Sequence, residues 1–299
     1  STTELQQMAF DMDMLRPGSV LALQADLRDA DALPDLIDQT VAQFGRLDSL
    51  VNNASNFYPT LLGQITAAQW DDLFAVNARA PLLLATALAI KLSSPGPVLY
   101  MANRVGKDEK PFRMYKFRSM HVDSGGSEIT ATHDNRIFAA GKIIRDLKLD
   151  ELPQMLNVIK GEMSIVGPRP ESPAIVAAHY APWMHESLKV LPGVTSPGAI
   201  FYYTQGDDLL AGDDPEAAYV ANLLQPKLAI DIAYSNRASF WSNIFVIFHT
   251  VVTIIAKFFG LKVGPLTRDL VASKQLLHRS AASQTPELKS KADAQKQMP

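Results

Sequence analysis

The 299-residue sequence contains no cysteine. That absence excludes a disulfide scaffold, thiolate zinc sites, iron–sulfur clusters and a cysteine nucleophile. Lysine is missing from residues 1–80, which hold eleven acids against four arginines, a net charge of −7. The whole chain is only −3, so the remainder is basic, and residues 81–120 alone carry seven basic and two acidic side chains. A sign change of this kind marks a candidate domain boundary near residue 80. The balance leaves no global basic footprint, and no nucleic-acid partner is expected. No uninterrupted apolar run reaches the roughly 18–20 residues of a bilayer-spanning helix. The opening stretch is acidic and broken by Pro17 and Gly18, which is not expected of a secretory signal. The six histidines are scattered and assign no zinc site. A disulfide-free, globular protein of cytoplasmic type is the first bound.

What is present in the first part reads as alternating strands and helices. Val20–Gln24 is a short apolar run ending in Ala25-Asp26-Leu27. Helical spacing follows through Leu33, Leu36, Ile37, Val41 and Phe44, with Gly45 as the stop. Leu47–Val51 reads as a second strand, and Ala67–Ala75 as a helix through Trp70, Leu73 and Phe74. This order predicts a parallel βαβ fragment.

The pieces Gly45-Arg46-Leu47-Asp48, Asn52-Asn53-Ala54-Ser55, Asn56-Phe57-Tyr58-Pro59-Thr60 and Trp70-Asp71-Asp72 through Val76-Asn77 resemble the short-chain dehydrogenase/reductases, pteridine-reductase-like members in particular. The resemblance covers about 1–85. It implies that Asp26 lies near an adenine, that the Asn-Asn-Ala stretch supports the sheet beside a cofactor, and that Asn77 serves a proton relay. Two requirements are missing. No Gly-rich turn precedes residue 20, so a dinucleotide pyrophosphate has no helix N-terminus to meet. No tyrosine has lysine four positions later; Tyr100 is followed there by Arg104 and Tyr115 by Ser119. The segment reads as an internal slice of a reductase with no cofactor-binding residues assigned. An NADP-dependent reductase remains an alternative that these gaps argue against.

The second part opens with Pro81–Leu92, an apolar helix too short to span a bilayer but suited to a buried, interfacial or re-entrant place. Val98–Met101 reads as a strand, Gly106–Lys110 as a hairpin connection, and Pro111–Met120 as a half-buried strand that sends Arg113, Lys116 and Arg118 outward. A solvated strand face is the plainer account of Lys116 and Arg118. Asp150-Glu151-Leu152-Pro153-Gln154 then starts a helix that runs to about Lys160 and stops at Gly161. Its apolar side would be Leu152, Met155, Leu156 and Ile159. Pro153 belongs in a first turn, so Asp150 is expected at or near the N-cap, an ordinary place for an acid. Gly167-Pro168-Arg169-Pro170 changes the balance. Two prolines stiffen the loop around an arginine whose guanidinium suits phosphate oxygens. Arg145 lies just upstream of the acids. Adjacent carboxylates repel and need a divalent cation or arginine to stay ionised together. Acids, arginines and a stiff loop suggest phosphate chemistry with Mg²⁺.

Arg104-Val105-Gly106-Lys107, Tyr115 through Met120, Asp150 through Gln154, Val166 through Pro170 and Pro192-Gly193-Val194-Thr195, in that order, resemble the bacterial sugar transferases. These are monotopic phosphoglycosyl transferases that start glycan assembly on a polyprenol carrier. The resemblance covers about 81–260. It implies that Asp150 is a nucleophile toward the β-phosphorus of a UDP-sugar, releasing UMP and passing the sugar-phosphate to polyprenyl phosphate. It implies Mg²⁺ at Glu151, phosphate contacts from Arg145 and Arg169, and weaker candidates in Lys116 and Arg118. Departures are Ser196-Pro197-Gly198 where glycine often follows the Pro-Gly-x-Thr motif, and Asn243 where an Asp is usual.

The expected organisation is therefore α/β to α+β. A partial Rossmann-like βαβ fragment over 1–80 precedes a helix-rich phosphoglycosyl transferase domain over 81–265, with a β-hairpin and membrane-associated helices. A polar tail follows over 266–299. Pro81–Leu92 resembles the second half of a re-entrant membrane helix whose first half has been replaced by the charged segment 70–79. Ile244–Phe259 is expected as an interfacial helix, a core helix being the other reading. The implied partners are a UDP-sugar, polyprenyl phosphate and the cytoplasmic face of the bacterial inner membrane. An inactive fusion acting as a scaffold is the non-enzymatic alternative.

Overall fold

The computed structural model describes residues 2–59, 64–122, 134–210 and 214–261, with 263–264, 269–271, 273–274 and 277 beyond them. The expected tail over 266–299 lies almost wholly outside the described residues. The chain forms two compact units. One comprises Ser1–Tyr100, Phe117–Val122 and Ile137–Ile144, and the other Met101–Lys116, Asp123–Arg136 and Arg145–Pro299.

The first unit is helical. Helix α1 (Thr2–Leu15) leads to α2 (Leu33–Phe44), and α3 (Ala67–Phe74) continues through a π turn (Ala75–Arg79) into α4 (Ala80–Ser93). Thr66 caps α3 reciprocally with Gln69. The segments Val20–Gln24 and Leu47–Val51, expected as strands, form no ladder, so the expected βαβ fragment is corrected to a helical one. A strand needs a neighbour for its backbone groups, and the described residues of this unit supply none to either segment. Val51 accordingly stands 81% exposed. Asn77 donates to the Asn56 carbonyl at 2.8 Å and accepts the Asn56 N–H at 3.0 Å, so here it fastens a loop.

Pro81–Leu92 belongs to one continuous helix, Ala67–Ser93, of 27 residues. At 1.5 Å per residue that is about 40 Å, long and apolar enough to cross a membrane. The π turn explains the continuity. Pro81 lacks an N–H and would crowd the carbonyl four residues back, and a widened turn there relieves the clash. The same device recurs at the π turn Val220–Leu224 before Pro226. One side of α4, through Ala80, Leu83, Leu84, Ala87 and Ile90, is buried, and α4 packs against α2, whose Leu33 and Ile37 are buried. Lys91 pairs with Asp38 at 2.6 Å across the same contact.

Strands β1 (Leu99–Val105) and β2 (Pro111–Phe117) pair as the expected hairpin, closed by the Gly106 N–H on the Lys110 carbonyl. Helix α5 (Ala139–Asp146) runs to Arg145, and a 3-10 turn (Leu149–Glu151) precedes α6 (Gln154–Ile159). Strand β3 (Ser164–Val166), helix α7 (Pro173–His179), strand β4 (Gly193–Thr195) and helix α8 (Pro197–Leu209) follow. The last helices are α9 (Pro215–Tyr219), α10 (Gln225–Ser235) and α11 (Phe240–Phe258).

In the second unit β3 and β4 pair in parallel, Ser164 opposite Gly193 and Val166 opposite Thr195. This pairing brings the Gly-Pro-Arg-Pro and Pro-Gly-x-Thr motifs together. Gly193 donates to the Pro168 carbonyl and Gly167 to that of Thr195. A side chain at Gly193 would collide with the Gly167 backbone, which accounts for glycine there. One core joins Ile175, Met184, Leu210, Tyr219, Leu223, Leu224 and Leu228.

Polar groups are buried between these helices. Glu171 pairs with Lys227, and Tyr219 binds both. Asp231 accepts the Gly198 N–H at 2.8 Å, while Ser196 caps α8 through the Ala199 N–H. The Ser-Pro-Gly departure thus starts a helix and meets a buried acid. Asn243, the other departure, accepts the Tyr234 hydroxyl at 2.7 Å.

Helix α11 is apolar on its outer side as well as in part on its inner side. Its inner side carries Val246, Thr250, Thr253 and Ala256, with the Thr250 and Thr195 hydroxyls 2.7 Å apart. Its outer side exposes Trp241, Phe245, Phe248, Val252, Ile255 and Phe258. The helix is nineteen residues long and is apolar enough to cross a membrane by length and composition.

Burial raises the Asp231 carboxyl to about 6, against the lowering pull of Gly198, Ser196 and Lys227. The folded state therefore holds this proton at pH values where the unfolded chain has released it. Stability from this group falls as pH rises from about 4 to about 6. Asp231→Asn, which keeps an acceptor, is expected to flatten that fall by up to about 3 kcal/mol. Thermal melts of both proteins across this range check it; parallel curves would contradict the assignment.

Candidate active site

The acids stand in a turn whose geometry the sequence did not disclose. Lys148 adopts a left-handed conformation, φ 57°, and Leu149–Glu151 then makes one 3-10 turn. The N-cap position of α6 belongs to Pro153, and the Asp150 side chain caps nothing. The expected N-cap role for Asp150 is therefore corrected: proline takes that place because it needs no N–H partner there. Both acids are nevertheless buried, Asp150 at 7% exposure and Glu151 at 8%. Helix α6 ends before Gly161 with φ +74°, the expected stop.

Of the expected apolar stripe of α6, Met155 and Ile159 are exposed and Leu152 and Leu156 half-buried, whereas Gln154 and Asn157 are buried. Asn157 explains the inversion. Its amide accepts the Tyr115 N–H at 3.0 Å and donates to the Arg113 carbonyl at 2.8 Å and to Glu162 at 2.7 Å. One side chain thereby fixes β2 to α6 and sets Lys116 beside the acids.

Glu151 is the hub. Arg169 donates to both its oxygens, at 2.6 and 3.2 Å. Lys116 and Lys148 each approach Oε1 at 3.7 Å. Burial alone would push the Glu151 carboxyl up, but Arg169, Lys148 and Lys116 hold it well below the usual carboxylate range. Burial and the like charge of Arg169 push the Lys116 ammonium down to about 8, against the pull of both acids. Asp150 moves the other way. Burial and the charge of Glu151 raise its carboxyl, while Lys116, Lys148 and Arg145 pull it down. The two acids, with Arg169, Lys116 and Lys148 at Glu151 and Arg145 acting on Asp150 through its charge, make a net positive cluster suited to a phosphate-rich ligand.

Of the residues the sequence singled out, Asp150, Glu151, Lys116, Arg145 and Arg169 thus come together. Arg118 does not. It is buried, and its guanidinium donates to the carbonyls of Ser94, Pro97 and Met120 and to the Ser94 hydroxyl. The chain leaves the ladder after Phe117, so Arg118 turns inward to hold a loop. Lys148 was missed by the sequence reading; its place next to Leu149-Asp150-Glu151 was the available signal.

Among the described residues no three His, Asp or Glu side chains converge as a metal cage. Asp150 still fits Mg²⁺, which takes one or two protein carboxylates and completes its shell with phosphates and water, whereas both Glu151 oxygens already accept from Arg169. The specific observation is Asp150 Oδ1, buried without a hydrogen-bond partner. Gln154, fully buried one turn on, also leaves both amide atoms without partners.

An unpaired buried amide costs roughly 1–3 kcal/mol. Gln154→Met, close in volume, is expected to raise stability by about that amount in thermal or urea unfolding. An unchanged or lowered melting temperature would mean that the amide is satisfied in solution.

The family model described as bacterial sugar transferase matches residues 69–257. A second model, described as short chain dehydrogenase, matches residues 1–114. The chain is 35% identical over 230 residues to the UDP-N-acetylgalactosamine-undecaprenyl-phosphate N-acetylgalactosaminephosphotransferase of Aeromonas hydrophila, covering 74% of this chain and 51% of that protein. It is 34% identical over 199 residues to the UDP-glucose:undecaprenyl-phosphate glucose-1-phosphate transferase of Caulobacter vibrioides, covering 65% and 68%. It is 36% identical over 196 residues to the exopolysaccharide production protein PSS of Rhizobium leguminosarum, covering 63% and 92%. The chain thus spans about half the length of the Aeromonas relative.

Proposed function

The chain belongs to the bacterial sugar transferase family, and on that basis we propose that it is a phosphoglycosyl transferase. It moves a sugar-1-phosphate from a UDP-sugar to polyprenyl phosphate and releases UMP, an opening step of glycan assembly. The observation that carries this reading is the buried Asp150 carboxyl, bare at Oδ1 and next to Glu151, on which Arg169, Lys116 and Lys148 converge. The names of the Aeromonas and Caulobacter relatives support the substrate classes.

A carboxylate oxygen of Asp150 attacks the β-phosphorus. The bond to the bridging oxygen breaks, and UMP leaves with that electron pair. The sugar-phosphate is then an acyl phosphate on Asp150. An oxygen of polyprenyl phosphate attacks the same phosphorus, the bond to Asp150 breaks, and the carboxylate returns. Two easier displacements replace one, with ping-pong kinetics. The cations have distinct parts. Arg169 is held bidentately by Glu151, so its planar guanidinium is pre-ordered beside the incoming phosphates. Lys116 and Arg145 offset the charge that collects near phosphorus and help keep Asp150 ionised once a ligand is seated. Asp150 would hold Mg²⁺, which when bound supplies neutralisation of the diphosphate; Glu151, the expected ligand, would join it only by giving up a bond to Arg169.

The place of action is the cytoplasmic face of the bacterial inner membrane. The outward apolar side of α11 supports the membrane association, since a row of large apolar side chains turned outward suits hydrocarbon rather than water.

The test is UMP release from a panel of UDP-sugars with polyprenyl phosphate in detergent or membranes. Asp150→Asn is expected to lower turnover by at least about a thousandfold with an unchanged melting profile, because the Asp150 side chain caps nothing. In the wild type, UDP-sugar alone is expected to leave a sugar-phosphate mass on the peptide bearing Asp150. Release of UMP by Asp150→Asn at the wild-type rate would sink the reading.

A further inference from the structure

The guanidinium of Arg169 is held by Glu151, and the backbone around it is held by α10. Lys227 and Asp231 stand four residues apart on that helix, hence on one side of it, and both are buried. Lys227 pairs with the carboxylate of Glu171, two residues after Arg169, and the Tyr219 hydroxyl donates to the same carboxylate. Burial pushes that carboxyl up, but Lys227 and Tyr219 hold it below the usual carboxylate range. The Glu171 carbonyl accepts the Val105 N–H at 3.0 Å, which ties the residue to the end of β1 as well. Asp231 accepts the Gly198 N–H at 2.8 Å, and the backbone N–H of Arg169 and the Ser196 hydroxyl act on the same carboxyl. The acid lies so close to Gly198 that a Cβ there would stand 2.6 Å from its carboxyl atoms. One helix thus meets the loop on both sides of the arginine, at its N–H through Asp231 and at Glu171 through Lys227.

The residues of the loop make this contact selective. Pro168 and Pro170 have no N–H, and the Gly167 N–H is taken by the Thr195 carbonyl. Within 167–170 this leaves the Arg169 N–H for Asp231. A slip of the loop by one residue would set a proline against a buried acid, which would then lose a donor. Stability alone does not call for charged groups at this place, since a buried ion pair is often no better than apolar side chains of the same volume. Fixing a register is the best-attested use of such groups. What the register fixes here is the arginine of the loop, whose planar guanidinium already spans both oxygens of Glu151.

We propose that Lys227 and Asp231 are positioning residues, which act through Arg169 to hold its guanidinium where a nucleoside diphosphate is bound. This rests on the functional reading above and extends it to residues that touch no substrate. Glu151 sets the direction of the guanidinium, and α10 sets the place of the backbone from which it extends. With both fixed, the side chain loses little freedom when the diphosphate arrives.

UDP binding to the full chain in detergent, followed by titration calorimetry, tests this without turnover. Lys227→Met alone would leave Glu171 charged and unpaired, so a double variant, Glu171→Gln with Lys227→Met, carries the test. It nearly keeps the volume and removes both charges. It is expected to melt near the wild type while binding UDP roughly tenfold more weakly. Lys227→Arg, which keeps the pair, should bind UDP much as the wild type does. Asp231→Asn keeps the shape but leaves a single oxygen for the Gly198 and Arg169 N–H groups. It is expected to weaken UDP binding to a similar extent, so the outcome does not hang on the fold of one variant. Neither change should weaken binding further when Arg169 is already alanine, because residues that act through a common partner are not additive. Unchanged UDP affinity in both variants would overturn the proposal. So would a loss that persists in full in the Arg169→Ala background, since the effect would then not pass through Arg169. The expected binding pattern with no UMP release by the wild type would strike the functional reading alone.

Discussion

The buried pair of Glu151 and Arg169 is the constraint on which the second unit depends. Neither partner is tolerable alone at that depth, since an unpaired buried charge costs several kcal/mol. Together they tie the 3-10 turn at Leu149–Glu151 to the loop after β3. That loop is in turn held by β4, through Gly193 on the Pro168 carbonyl, and β4 meets α11 through Thr195 and Thr250. A single ion pair thus links the turn that carries Asp150, the loop that carries Arg169 and, through β4, helix α11. It also separates the two acids chemically. Glu151, saturated with cations, stays charged, and its charge then raises its neighbour Asp150. Two adjacent carboxyls acquire different characters from one arginine.

A second layer of support is neutral and local. Asn157 binds two backbone groups of β2, so the register of Lys116 against the acids is set by an amide rather than by hydrophobic packing. Prolines shape the helices without ending them, because each of Pro81 and Pro226 is preceded by a π turn. The helices keep their backbone bonds, and the local widening absorbs the missing donor.

Motifs with fixed chemistry were legible in the sequence. Gly161 as a stop, the hairpin around Gly106–Lys110 and the gathering of Asp150, Glu151, Arg145, Lys116 and Arg169 are all written in residue types that have few other uses. What escaped was whatever depends on partners distant in sequence. Val20–Gln24 and Leu47–Val51 have the composition of strands, but a ladder is a property of neighbours, and none is described beside them. Arg118 shares the alternation of Lys116, yet the chain leaves the strand between them, and its donors go to carbonyls. The α6 stripe misled because Asn157 and Gln154 claim the inner side of that helix. Lys148 was invisible because a left-handed lysine before a turn has no periodic signature.

The contact between α2 and α4 has a consequence in time. Residues 33–44 leave the ribosome before residues 80–93, and at 5–20 residues per second the interval is about 2–7 seconds. A helix forms in about a microsecond. The apolar side of α4, with Leu83, Leu84, Ala87 and Ile90, therefore emerges into the presence of Leu33 and Ile37 already synthesised on the same chain. The α2 segment thus offers the nascent α4 an intramolecular partner at high local concentration.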